Sequence, residues 1–342
     1  MFKMKHLGMA AVLVLIAAGA MASNFRAADQ VYLTAAGKVA TFASDVWITN
    51  VSTADSVSVS VIYTPTGQGS QPQYFDNVIT LHPMERKEII DFFPTTLGLS
   101  SGFGSLIFNA CKQAADCINT QDANGNSPNF RDIIVFSRIY STQVGPPLST
   151  AGQAFPGIPW YNFVSSRQSA NGLGRVVIQG IRNTGTSAPT RQPGTYRSNI
   201  GLMNASQYST TTVRVKLFNG TTNAQIGSDF TITLGPLNMI QNNVSGMFPA
   251  FGTGPTSTNA YVTVEQEANT PTNDAPTTCL PDGCPGFLAY GSSLDNQFDD
   301  PTTLESVYEK SLASITGALD TIYGSSATQG KTNLRRSVKL NH

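Results

Sequence analysis

The sequence predicts an all-β protein built from two tandem antiparallel β-sandwich repeats, closed by one C-terminal amphipathic helix. Three observations carry this. First, a pattern recurs about 154 residues along the 342-residue chain. Phe42-Ala43-Ser44-Asp45-Val46-Trp47-Ile48-Thr49-Asn50 is answered by Tyr196-Arg197-Ser198-Asn199-Ile200-Gly201-Leu202-Met203-Asn204, and Ile79-Thr80-Leu81 by Ile232-Thr233-Leu234. A fixed offset of this kind means one fold used twice. Second, Val57, Val59 and Val61 alternate with Ser58 and Ser60, as Val213, Val215 and Leu217 do with Arg214 and Lys216. That is period two, one face buried and one wet. Third, clusters such as Thr66-Gly67-Gln68-Gly69 and Asn219-Gly220-Thr221-Thr222-Asn223 punctuate the runs, and helical periodicity is lacking from 28 to 302.

The elements follow in order. Lys3 and Lys5, the apolar run Leu7 to Met21 and Ala20-Met21-Ala22 form a secretory signal peptide over 1–22, with cleavage near Ala22-Ser23. The run is about 15 residues, short of the roughly 20 that span a bilayer, so a transmembrane anchor is not expected in the mature chain. The protein is therefore expected to be secreted or periplasmic. Repeat 1 spans 28–155, an aromatic and Pro-rich connector 156–171, and repeat 2 172–302. Thr302 and Glu305 read as a capping box, and Leu304, Val307, Tyr308, Leu312, Ile315, Leu319 and Ile322 recur at helical spacing, which predicts a helix over 303–323. That stripe either packs in cis or forms a homo-oligomer contact. The tail 325–342 is polar and is expected to be disordered.

Four cysteines form two close pairs, Cys111 with Cys117 and Cys279 with Cys284, each in a polar loop near the end of its repeat. Two local disulfides are expected in an oxidising compartment. Zinc is the alternative, but neither spacing is the usual one and no His lies nearby.

Charge and motifs exclude more than they assign. Only 12% of the chain is charged; without Lys3 and Lys5, 19 basic side chains face 21 acidic ones. Nothing there attracts nucleic acid. The mature chain holds two histidines, His82 and the terminal His342, with no Gly-x-Ser-x-Gly elbow, no His-Glu-x-x-His and no phosphate-cradling Gly-Lys loop. The sequence thus points to no enzyme. A carboxylate-based hydrolase would draw on Asp45, Glu85, Glu88 and Asp91 in the first repeat and Glu265, Glu267, Asp295, Asp299 and Asp300 in the second, which nothing in the sequence pairs across a cleft. No cofactor is expected beyond a candidate structural Ca2+ site at Asp295, Asp299 and Asp300; Asp122, Asn124 and Asn126 open like a calcium loop that then fails at Ser127 and Ile133. Trp160, Tyr161 and Phe163 in the connector either pack between the repeats or offer a ligand-stacking surface. Asn50 and Asn204 fall in glycosylation sequons, but as equivalent strand ends they suit side-chain turns.

Val31-Tyr32-Leu33, Asp45-Val46-Trp47-Ile48-Thr49-Asn50, Tyr196 to Asn204 and Tyr290-Gly291-Ser292-Ser293-Leu294-Asp295-Asn296 resemble uncharacterised exported bacterial proteins with tandem immunoglobulin-like β-sandwich repeats. The resemblance covers residues 30 to 302; the helix and the cysteine pairs fall outside it. It implies an immunoglobulin-like fold and export, and carries over no catalytic residue. The expected function is that of a non-catalytic exported structural or interaction protein with a protein or glycan partner; the alternative is a glycan-binding module using the aromatic connector.

Overall fold

The computed structural model describes residues 27–117, 119–122, 126–141, 152–160, 174–184, 194–252, 258–280, 283–284, 286–296 and 300–308. The expected signal segment, Tyr161, Phe163, Asp299, the tail and the part of the expected helix after Tyr308 lie outside them.

The chain is all-β, and each repeat builds the same nine strands. In the first these are β1 (Gln30–Lys38), β2 (Phe42–Asn50), β3 (Val57–Pro65), β4 (Gln73–Leu81), β5 (Arg86–Ile89), β6 (Gly102–Lys112), β7 (Ile133–Ser141), β8 (Gly152–Pro156) and β9 (Ile158–Pro159). In the second they are β10 (Arg175–Ile181), β11 (Tyr196–Asn204), β12 (Ser209–Asn219), β13 (Phe230–Leu234), β14 (Met239–Asn243), β15 (Ala260–Pro271), β16 (Phe287–Asp295), β17 (Asp300–Leu304) and β18 (Ser306–Tyr308). They form four antiparallel sheets: sheet I in the order β5-β2-β7-β8, sheet II β4-β3-β6-β1-β9, sheet III β14-β11-β16-β17 and sheet IV β13-β12-β15-β10-β18.

Alternation along the strands decides how these sheets stack. Val59, Val61, Phe108, Val31 and Leu33 point from sheet II into a core shared with Val46, Ile48 and Val135 of sheet I. The opposite face of sheet II carries Ile62, Ile107 and Tyr32, also buried, and these join Met203, Met239, Leu288 and Tyr290 of sheet III in the same cluster. The other face of sheet III sends Ile200, Leu202, Ile240 and Ala289 into a second core with Val176, Val213, Val215 and Val264 of sheet IV. Sheets I to IV therefore follow one another face to face, as the blades of a propeller-like arrangement do, and among the described residues the outer faces of sheets I and IV do not pack on each other. The edges β8 and β17 also meet, where the Thr303 hydroxyl donates to the Ala154 carbonyl at 2.6 Å.

Two expectations are corrected here. The protein is not two tandem immunoglobulin-like sandwiches. In that fold the sixth and seventh strands share a sheet, whereas β6 and β7 fall in different sheets and β6 takes β1 as its neighbour. Packing through both faces of sheets II and III also makes the repeats one body rather than two modules. Second, residues 303–308 are strand, not the start of a helix: β17 pairs with β16 and β18 with β10. Pairing satisfies their backbone groups along two sheet edges, and Leu304 packs on the second core, so tertiary contacts override the local helical signal. An oligomer contact through 303–323 loses its first turns by the same observation. The strands also continue past the expected repeat ends, β9 to Pro159 and β18 to Tyr308.

Both disulfides are formed, Cys111–Cys117 and Cys279–Cys284, each closing a short loop. They fit an extracellular or periplasmic compartment. Among the described residues no helix is long and apolar enough to cross a membrane.

Candidate functional site

Two features stand out: the outer face of sheet I, and a cavity where the repeats meet. Period two sends Asp45 and Trp47 to the side of β2 opposite the core. Register then sets Trp47 between Phe136 on β7 and Glu88 on β5, and Asp45 beside Arg138. The Trp47 and Phe136 ring centroids lie 5.5 Å apart, inclined at 52°. The Arg138 guanidinium sits 5.9 Å over the Tyr140 ring. All four side chains are part exposed, Arg86 and Glu88 are exposed, and Ile134 and Ile90 at the margins are 36% and 54% exposed.

Repeat equivalence gives this face a meaning. Trp47 corresponds to Gly201, Phe136 to Tyr290, Glu88 to Gln241, Asp45 to Asn199 and Arg138 to Ser292, by matched register in sheets I and III. The sheet III face is covered by sheet II and carries neutral groups; its sheet I counterpart carries charges. A covered face cannot keep uncompensated charge cheaply, so the exchange tracks burial.

Asp45 shows how the charges are held. Its Oδ1 accepts the Asp91 amide at 2.8 Å, and the Tyr140 hydroxyl donates to the same carboxylate. Burial raises its pKa above the ordinary Asp value, partly offset by these two hydrogen bonds; Glu88 pushes the same way as burial, and Arg138 opposes it. Tyr140 is raised too, by burial first and then by Asp45 and Asp91. Asp91, in a left-handed conformation at φ 49°, receives Lys38 at 2.5 Å.

The cavity encloses about 330 Å³. Phe42, Phe103 and Ile139 of the first repeat face Asn199, Gln241 and Leu294 of the second. Its polar wall is amide and hydroxyl, with no charged side chain. Gln153 Oε1 accepts the Ser292 hydroxyl at 2.9 Å and Gln241 Oε1 the Tyr290 hydroxyl at 2.6 Å, so both amide oxygens are engaged within the wall.

The residues singled out from sequence are mostly accounted for structurally. Trp160 is 3% exposed, in the first core, with Nε1 donating to Asp29 Oδ1 at 3.0 Å; it offers no stacking surface, which corrects the platform reading at that residue. Asp295 and Asp300 are register partners across β16 and β17, and among the described residues no group of three metal-ligating side chains occurs. Asp122 instead accepts the Asn126 amide with Oδ1. Glu85 accepts the His82 amide, and Glu265 and Glu267 hold Arg214 at 2.6 and 3.0 Å. Asn50 and Asn204 are fully buried, each bonding backbone groups of its own turn and of the turn after the following hairpin, at His82 and Gly235, so neither is an open acceptor in the folded protein.

Sequence reading passed over Trp47 and the cavity. Trp47 was visible only as part of the repeat, and its exposure could have been inferred from alternation. The cavity is assembled from residues far apart in the chain, which no local pattern marks.

No family model matches the chain, and no curated protein matches it. Among solved structures it is weakly similar to red sea bream transglutaminase, 8% identical, covering 91% of this chain and 35% of that one, with a TM-score of 0.14. The chain thus spans about a third of that protein's length, and a likeness this low carries no argument.

Proposed function

We propose that this is an exported, non-catalytic interaction protein that acts through its surface outside the cytoplasm. The observation that supports it most is the outer face of sheet I, where Trp47, Phe136, Tyr140 and Arg138 lie together half-exposed. Trp, Tyr and Arg are the side chains that dominate recognition surfaces. Four of the acids weighed for hydrolysis are engaged otherwise: Asp45 caps the turn at Asp91, Asp91 holds Lys38, and Glu265 and Glu267 hold Arg214. The secretory signal and the disulfides support export. The test is a turnover screen on polysaccharide, peptide and ester substrates. No consumption is expected; a substrate consumed by the wild type and spared by Asp45→Asn or Glu88→Gln would overturn the reading.

A second reading is favoured by the inter-repeat cavity. Uncharged amides beside Phe42 and Phe103 suit a neutral, polyhydroxylated ligand such as a short glycan. Calorimetric titration with neutral oligosaccharides tests it, and binding that survives Gln241→Ala and Gln153→Ala counts against it.

A further inference from the structure

We infer that the outer face of sheet I is an interface that docks the same face of a second copy of this chain, giving a two-fold dimer. Continuity with an interface already present inside the molecule comes first. The equivalent face, on sheet III, is buried against sheet II through Met203, Met239, Leu288 and Tyr290. A nine-strand unit that uses this face for docking in its second copy leaves it, in its first, part-exposed and with no sheet packed over it among the described residues.

Composition agrees. Aromatic rings occupy the middle, Trp47 beside Phe136, and charged groups the surroundings: Asp45 and Arg138 on one side, Arg86 and Glu88 on β5. An aromatic centre with a polar rim is the anatomy of a protein–protein interface. Two basic and two acidic groups on one face are self-complementary across a two-fold axis, where the same patch meets itself.

The remaining outer face, on sheet IV, is the head-to-tail alternative, and its chemistry argues against it. The positions of Ile62 and Ile107 on sheet II are taken there by Lys216 and Thr263. Arg214 bridges Glu265 and Glu267, while Lys216 lies 3.5 Å from Asp229. Docking there would strip water from a network of exposed ion pairs. Sheet IV ends the stack as a solvated cap, and the association closes at two copies.

The inference rests on the surface-acting reading above but fails separately, since a turnover result leaves the oligomeric state untouched. The test is sedimentation of the full chain across a wide concentration range. A monomer–dimer equilibrium is expected, with Trp47→Ala weakening it at least about tenfold. Ile134→Asp guards against misfolding: its side chain is exposed in the single chain, so the variant folds, and it places a buried charge in the dimer and abolishes it. Lys216→Ala on sheet IV changes nothing. A monomer at every concentration overturns the inference. So do open-ended growth, association indifferent to Trp47→Ala and Ile134→Asp, and a monomer retained on polysaccharide in a Trp47-dependent way, which would give the face to a glycan.

Discussion

Replacing Gly201 with Ala tests the seat of the Tyr290 ring on the covered face of sheet III. A Cβ built on Gly201 lies 1.9 Å from Tyr290 Cε1 and 2.2 Å from Cζ, far inside van der Waals contact. The ring has little room to yield. It is 4% exposed, meets Phe155 edge-on at 5.3 Å, and its hydroxyl donates to Gln241 Oε1 at 2.6 Å. Burial raises its pKa, so the donor stays protonated. Displacing it forfeits a hydrogen bond of about 1 kcal/mol and an aromatic contact of about 1 kcal/mol, and adds overpacking of about 1–3 kcal/mol. Gly201→Ala is therefore expected to destabilise by about 3–5 kcal/mol, read as a lower urea midpoint at unchanged slope. In a Tyr290→Leu background the clash is gone, and the same substitution costs less than about 0.5 kcal/mol. Gly201→Ala that is neutral in the wild type, or equally costly in both backgrounds, refutes the reasoning.

Other outcomes follow from the same contacts. Asp45 binds its proton more tightly folded than unfolded, so its ionisation lowers stability as pH rises from the ordinary Asp range through its raised pKa. Asp45→Asn, the residue its counterpart Asn199 already is, keeps the acceptor for the Asp91 amide; in pH-dependent melting it equals or exceeds wild type at neutral pH, and the gap closes in acid. Asp55 behaves oppositely. Lys112 at 2.9 Å and Arg131 at 2.7 Å hold its pKa below the ordinary value, so its contribution is present above that range and is lost as pH falls through the depressed value. Asp55→Asn accordingly loses to wild type at neutral pH and converges with it in strong acid. Asn204→Ala strands the buried carbonyls of Ser209 and Gly235 and the amide of Ser206, costing about 2–4 kcal/mol by denaturant titration. Reduction opens loops closed across sequence separations of 6 and 5. The loss is about 2 kcal/mol per bridge by loop entropy, measured as the urea midpoint with and without a thiol reductant.

Local features of this protein were legible because local forces set them. The alternation at Val57–Val61 and Val213–Leu217 gave strands because a half-buried strand needs it. Close cysteine spacing gave both bridges, and Asn50 and Asn204 at matched strand ends gave their turns. The helical stripe from Leu304 misled over residues 303–308. Apolar spacing there matched a helix, but two open sheet edges, β16 and β10, were waiting to pair. Trp160 was ambiguous because an aromatic connector can face either way; the Asp29 carboxylate and the core beside it settled the direction.

By itself the sequence determined that one unit is used twice, that it is β throughout its body, and that its charge and motifs offer no ready catalytic set. Those properties are written in residue identity and short-range spacing. Only the tertiary structure decided which sheet faces meet. Ile62, Ile107 and Tyr32 look like ordinary strand residues until sheet III covers them, and Trp47 differs from Gly201 in consequence only because one face is buried and the other is not. The physical reason is that burial belongs to pairs of surfaces brought together from distant parts of the chain, and it is burial that turns Asp45, Glu88 and Arg138 into Asn199, Gln241 and Ser292.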